Sequence, residues 1–157
     1  MVTGKVGIEL LARRYWCRVR ELLEGGNQVT ISVSSGSMRP LLQSGDTITV
    51  VRISRELHAG DILLVHIGHN RLRLHRLLTH REHFIQTKGD SLGSADREQR
   101  VSDILGICVA INGHRIDTPT WRFVNRQIAR ISPYSHQLRA PIRVLGRIRR
   151  ALGLWWL

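Results

Sequence analysis

Between residues 28 and 111 the sequence breaks into short β-branched and leucine-rich runs, and no feature of the chain restricts its fold more. The runs fall at 29–33, 47–53, 62–67, 72–78, 83–87 and 104–111, lengths that suit strands rather than free-standing helices. Ser44-Gly45-Asp46, Ala59-Gly60-Asp61, Gly68-His69-Asn70 and Lys88-Gly89-Asp90 punctuate them with turn residues. No helical crossover separates successive runs, so neighbouring strands are expected to return antiparallel. The middle of the chain therefore predicts an all-β, antiparallel core.

The flanks read differently. Ile8, Leu11, Tyr15, Val19, Leu22 and Leu23 recur at helical spacing over residues 6–23, and Gly25-Gly26 supplies a stop. Helical spacing returns over 121–131, and Pro133 and Pro141 then interrupt the chain before 142–157. In that last stretch Leu145, Ile148, Leu152, Trp155 and Trp156 share one helical face, and Arg143, Arg147 and Arg150 lie opposite. A helix lying in a membrane interface has this pattern, and so does one docked on its own domain or on a partner. A chain of 157 residues fits one domain, here divided as an amphipathic helix over 1–27, a β core over 28–117 and a basic helical extension over 118–157.

The formal net charge of +12 is concentrated at one end: beyond Asp117 come Arg122, Arg126, Arg130, Arg139, Arg143, Arg147, Arg149 and Arg150, with no acid. Such a tail is attracted to an anionic surface, either nucleic acid or a bilayer leaflet. No run approaches the roughly eighteen apolar residues of a spanning helix. Charged residues through 1–26 also deny that segment the apolar centre of a secretory signal. With only Cys17 and Cys108, both in segments that read as buried, no disulfide framework is expected. The expected location is cytoplasmic, and 142–157 leaves open a resting place on a membrane, on a partner or on its own domain.

The chemistry-bearing segment is Ser34-Ser35-Gly36-Ser37-Met38-Arg39-Pro40, directly after the run 29–33. A hydroxyl becomes a useful nucleophile when a base takes its proton and donors meet the developing oxyanion. Small residues around Ser37 leave room for such an arrangement, although a lone serine in a turn is more often structural. His66 and His69 are three apart, as are His80 and His83. On strands such pairs point to opposite faces, and no third ligand accompanies them. They read as solvent-facing strand or turn residues, Cys17 and Cys108 read as core residues, and neither a metal nor another cofactor is expected.

Taken in order, Ser35-Gly36-Ser37-Met38-Arg39-Pro40, Ser44-Gly45-Asp46 and Ala59-Gly60-Asp61 followed by Ile62-Leu63-Leu64-Val65 resemble the signal peptidase and LexA-type serine peptidases. The resemblance spans about residues 29–111, closing with Ser102-Asp103-Ile104-Leu105-Gly106. Most of that superfamily uses a lysine base. This chain has only Lys5 and Lys88, and the strand where the lysine is sought reads Leu72-Arg73-Leu74-His75-Arg76-Leu77-Leu78. Histidine followed by arginine here, then Thr87-Lys88-Gly89-Asp90 and a second aspartate at Asp96, is similar to the archaeal and endoplasmic-reticulum branch.

The resemblance implies a signal-peptidase-like antiparallel β-barrel core. It also implies Ser37 as nucleophile, His75 as general base and Asp96 as the carboxylate that orients it, with Asp90 as the other acid of the segment and Lys88 as a lysine that is not the base. The Ser37 amide and the Ser35 hydroxyl would form the oxyanion hole. A neutral histidine, with a reference pKa of roughly 6.5, can accept the serine proton near neutrality. The expected function is a serine endopeptidase cutting a protein or peptide precursor, or a leader peptide, bound as an added strand beside Ser37. No nucleic-acid partner is expected. Two rivals remain open: a LexA-like self-cleaving regulator associated with nucleic acid, and an inactive scaffold that binds a membrane or partner. Against the first, the residues before Gln28 offer a single helix, too little for a helix-turn-helix unit.

Overall fold

The structure is a computed structural model that describes residues 15–68 and 71–134. The expected helix over 142–157, the start of the helix over 6–23, and His69 lie outside the described residues. The fold is mainly β with two helices. Its strands are β1 (Val29–Ser32), β2 (Thr47–Val51), β3 (Ile62–His66), β4 (Leu72–Arg81), β5 (Phe84–Lys88), β6 (Gln99–Arg100), β7 (Ile104–Ile111) and β8 (His114–Arg115). All pairings are antiparallel, and the order across the sheet is β1-β2-β7-β3-β4-β5-β6, with β8 on β7. The sheet curls as a half-barrel. Register shifts at Thr49/Val50, Leu64/Val65 and Leu77/Thr79 interrupt three ladders, the kind of irregularity that bends and twists a sheet.

Burial explains the apolar run of β3. Ile62 and Leu64 enter one core with Val50, Leu105 and Cys108, while Leu63 and Val65 enter a second with Leu77, Ile85 and Ile107. Alternate residues point to opposite faces, so a strand covered on both sides has no polar alternation to display. Helix α1, described over 15–24, covers the first core with Val19 and Leu23.

Helix α2 (Pro119–Ile131) begins at Thr118, whose hydroxyl accepts the Trp121 N–H at 3.4 Å, with Pro119 in the first turn. It docks through buried Asn125 and Ala129. The approach is close enough that a Cβ on Gly60 would lie 2.6 Å from the Asn125 carbonyl carbon, and Gly60 itself has φ +103°, so glycine is required there on two counts.

Strand ends depart from the sequence reading where polarity hides pairing. β4 continues to Arg81, and its exposed Thr79, His80 and Arg81 pair with Gln86, Ile85 and Phe84 across a tight hairpin whose Glu82 has φ 42°. The two-residue strands β6 and β8 are too short to leave a pattern. Cys108 is buried as expected, but Cys17 is only half-buried on α1.

Candidate active site

Three separate parts of the sheet converge on one cleft. The first is the loop after β1. Met38 and Leu42, 2% and 0% exposed, sink into the first core, and the Leu42 N–H closes a helical turn on the Met38 carbonyl at 3.0 Å. This anchor fixes the residue just ahead of it, Ser37, at the surface of the cleft. The second is β4, held by β3 through the Leu63↔His75 register. Arg73 and His75 are two residues apart and so emerge from the same face of the strand. The third is the segment after β5, where the Asp96 N–H donates to the Thr87 carbonyl at 2.8 Å and brings the Asp96 side chain under β4.

The side chains form a continuous hydrogen-bonded chain. His75 Nδ1 lies 2.6 Å from Asp96 Oδ2, and His75 Nε2 lies 3.1 Å from Ser37 Oγ. An ionised carboxylate only accepts, so Nδ1 carries the imidazole proton and the Nε2 lone pair faces the serine hydroxyl. The His75 and Asp96 side chains are 4% and 8% exposed. Asp96 is further held by the Thr87 hydroxyl on Oδ2 at 2.7 Å and by Arg73 Nη1 on Oδ1 at 2.8 Å. Burial by itself would raise the Asp96 carboxyl. The hydrogen bonds from His75 and Thr87, with the positive charge of Arg73, outweigh it and hold the group below its ordinary value. Asp96 therefore stays ionised throughout the neutral range.

The cleft over this chain has a volume of about 310 Å³ and is bounded by Ser35 and Ser37, by Leu72–His75 of β4, and by Leu92. Pairing between β4 and β5 starts only at Arg76↔Lys88, so β5 does not cover the edge of β4 at residues 72–75. Gly89 seals the floor. A Cβ there would come within 2.7 Å of the Ser37 carbonyl oxygen and 2.9 Å of His75 Nε2, so no side chain fits between the turn and the Ser37–His75 pair.

The remaining residues singled out in the sequence separate clearly. Ser35 Oγ stands 3.4 Å from Ser37 Oγ on the cleft wall. Asp90 is not on His75. It binds Arg76 through two bonds, Nε–Oδ1 at 2.8 Å and Nη2–Oδ2 at 2.6 Å, and Arg76 also donates to the Gly60 carbonyl and to Asn125 Oδ1. Lys88 is buried, and its Nζ donates to the Ser132 carbonyl and hydroxyl at the end of α2.

His66 corrects the expectation of a solvent-facing residue. It is half-buried, stacks on Trp16 with ring centroids 4.4 Å apart, and buries an Nε2 that makes no hydrogen bond. The sequence showed α1 as amphipathic but could not show which strand its Trp16 would cover. His80 and His83 are exposed. Among the described residues no group of three or more His, Cys, Asp and Glu side chains is placed to hold a metal. Burial pushes the Cys108 thiol up to about 12, which leaves it un-ionised and unreactive at neutral pH.

Sequence reasoning missed Thr87 and Arg73 as partners of Asp96, and Ser91. Arg73 had a usable signal in its two-residue offset from His75 on a strand. Thr87 and Ser91 had none, because their contacts are made across the fold. No protein-family model matches the sequence, and a search of curated proteins finds no significant match.

Proposed function

We propose that this chain is a serine endopeptidase of the signal-peptidase type, on a signal-peptidase-like β core, that cuts a specific protein or peptide precursor. The observation that carries the reading is the chain from Ser37 Oγ to His75 to Asp96, at 3.1 and 2.6 Å, opening on a cleft. The order of the serine, glycine-aspartate and histidine-arginine motifs supports it independently. In the proposed cycle His75 takes the Ser37 proton as Oγ adds to the scissile carbonyl, then returns it to the leaving amine as the C–N bond breaks. Water, deprotonated by the same imidazole, hydrolyses the resulting ester and restores Ser37. Asp96 holds the tautomer and stabilises the imidazolium. The substrate lies extended along residues 72–75, where β5 leaves the edge of β4 uncovered. The Ser37 amide and the Ser35 hydroxyl serve as oxyanion donors.

A fluorophosphonate probe tests this reading without knowledge of the substrate. Ser37 Oγ attacks phosphorus, fluoride leaves, and the hydroxyl proton passes to His75. Wild type is expected to label, with labelling lost in Ser37→Ala and strongly reduced in His75→Ala. Equal labelling of all three proteins would remove the proposal.

The same reading includes a peripheral contact with an anionic bilayer. Among the described residues no helix is long and apolar enough to cross a membrane. On α2, Phe123 and Ile131 are 65% and 51% exposed, alongside exposed Arg122, Arg126 and Arg130. The basic, tryptophan-bearing segment 142–157 follows it in sequence. Apolar side chains among cations suit an acidic lipid surface. The protein is expected to co-sediment with phosphatidylserine-rich vesicles and not with pure phosphatidylcholine vesicles. Absence of binding to the acidic vesicles would end this part of the account.

A further inference from the structure

The turn that follows β5 makes contacts with the Ser37 loop that hydrogen bonding between Ser37, His75 and Asp96 does not require. Ser91 Oγ lies 2.9 Å from the Gly36 carbonyl oxygen and 3.0 Å from that of Ser37, a three-centre arrangement, and the Ser91 N–H donates to the Ser37 carbonyl at 2.9 Å. We propose that Ser91 is a positioning residue for the oxyanion hole: its hydroxyl fixes the Gly36–Ser37 peptide so that the Ser37 N–H faces the developing oxyanion. The proposal rests on the serine peptidase reading and assigns a role within it.

Among the described residues only the Arg39–Pro40 peptide is cis, so the Gly36–Ser37 unit is trans and its C=O and N–H point in opposite directions. Holding the Gly36 oxygen against Ser91 therefore turns the Ser37 N–H away from the 89–92 turn. There, among the described residues, it has no hydrogen-bond acceptor. An unoccupied backbone donor on the nucleophile's own peptide is the group an acyl-transfer site needs. Gly36 lacks a Cβ to restrict this peptide. Among the described residues its other restraint of this kind is the Arg39 N–H on the Gly36 carbonyl, at a longer 3.2 Å. The Ser91 hydroxyl is therefore the shorter of the two bonds that keep the peptide from rotating. Asp90 reinforces the platform from beneath, since its paired bonds to Arg76 pin the residue next to Ser91 to β4.

The test compares fluorophosphonate labelling of wild type, Ser91→Ala, Ser91→Thr, Ser91→Cys and Ser37→Ala, each normalised to folded protein by circular dichroism. Removing an oxyanion donor outright typically slows acyl transfer about 10²–10³-fold. Ser91→Ala, which only releases the donor's orientation, is expected to lower the maximal labelling rate by about 10- to 100-fold. The concentration for half-maximal rate should not change. Ser91→Thr keeps the hydroxyl and is expected to label close to wild type. Ser91→Cys, nearly the same size but a weak donor, is expected to be slow, and it decides the matter should the alanine variant fold poorly. Silence of Ser37→Ala together with wild-type rates in Ser91→Ala or Ser91→Cys overturns the proposal while leaving the peptidase reading in place. A threonine variant as slow as alanine also overturns it. Full labelling of Ser37→Ala removes the peptidase reading itself.

Discussion

Asp96→Asn is expected to lower the fluorophosphonate labelling rate at pH 7 by about 10⁴-fold, the scale found when a triad carboxylate becomes an amide. The surroundings of Asp96 explain why so small a change matters. The carboxylate accepts from three donors: His75 Nδ1 and Thr87 Oγ1 on one oxygen, and Arg73 Nη1 on the other. An asparagine has one accepting oxygen and one NH₂ group. The fixed charge of Arg73 draws the amide oxygen toward itself, which leaves the NH₂ facing His75. Nδ1 must then accept, the imidazole proton moves to Nε2, and the lone pair that should take the Ser37 proton is gone. A labelling rate within tenfold of wild type would contradict this account of the site.

The same substitution carries a pH signature in stability. Because the folded Asp96 carboxyl lies below its ordinary value, its ionised form stabilises the native state at any pH above the unfolded value of roughly 3.9. That contribution is lost as the pH falls through the lower, folded value. The difference in thermal midpoint between wild type and Asp96→Asn should therefore hold steady from pH 7 to about pH 4 and shrink below it. A difference that shrinks between pH 7 and pH 5 would assign the stabilisation to another group.

Asp90→Ala is expected to be strongly destabilising, at about 3–5 kcal/mol. Arg76 is fully buried, and Asp90 supplies two of the four acceptors around it. Removing the carboxylate leaves a guanidinium charge in the interior with, among the described residues, the Gly60 carbonyl and Asn125 as its remaining partners. Because Arg76 links β4, the turn at Gly60 and helix α2, the loss reaches three elements. The thermal midpoint should fall by on the order of 10 °C or more. The double variant Asp90→Leu/Arg76→Met, which removes both charges, should recover much of that loss. A single Asp90→Ala variant within about 1 kcal/mol of wild type, well short of the loss typical of breaking a buried pair, would show that the pair is not buried in solution as it is in this structure.

Strands with an apolar face were legible in the sequence because burial writes itself into residue type. β7 (Ile104–Ile111) matches its run residue for residue, and β3, buried on both faces, reads as an unbroken apolar stretch. The polar end of β4 was not legible, since Thr79, His80 and Arg81 pair in a hairpin exposed to solvent and bury nothing. The candidate site was legible as motifs in order, not as geometry. In the sheet, β2, β7 and β3 stand between β1 and β4, so only the loop after β1 and the curl of the sheet bring Ser37 to His75. Composition and spacing do not encode that curl. Nor do they separate Asp96 from Asp90, because both lie in the segment after β5; what divides them is that one bonds His75 and the other Arg76.

The most direct measurement of the central claim is the location of the covalent adduct. The protein, labelled with a fluorophosphonate at neutral pH and digested, should yield a single phosphonylated peptide containing Ser37, with fragment masses placing the group on that residue and no adduct formed by Ser37→Ala. An adduct on any other residue, or the same yield of labelled protein from Ser37→Ala, would contradict Ser37 as the nucleophile that His75 and Asp96 are arranged to activate.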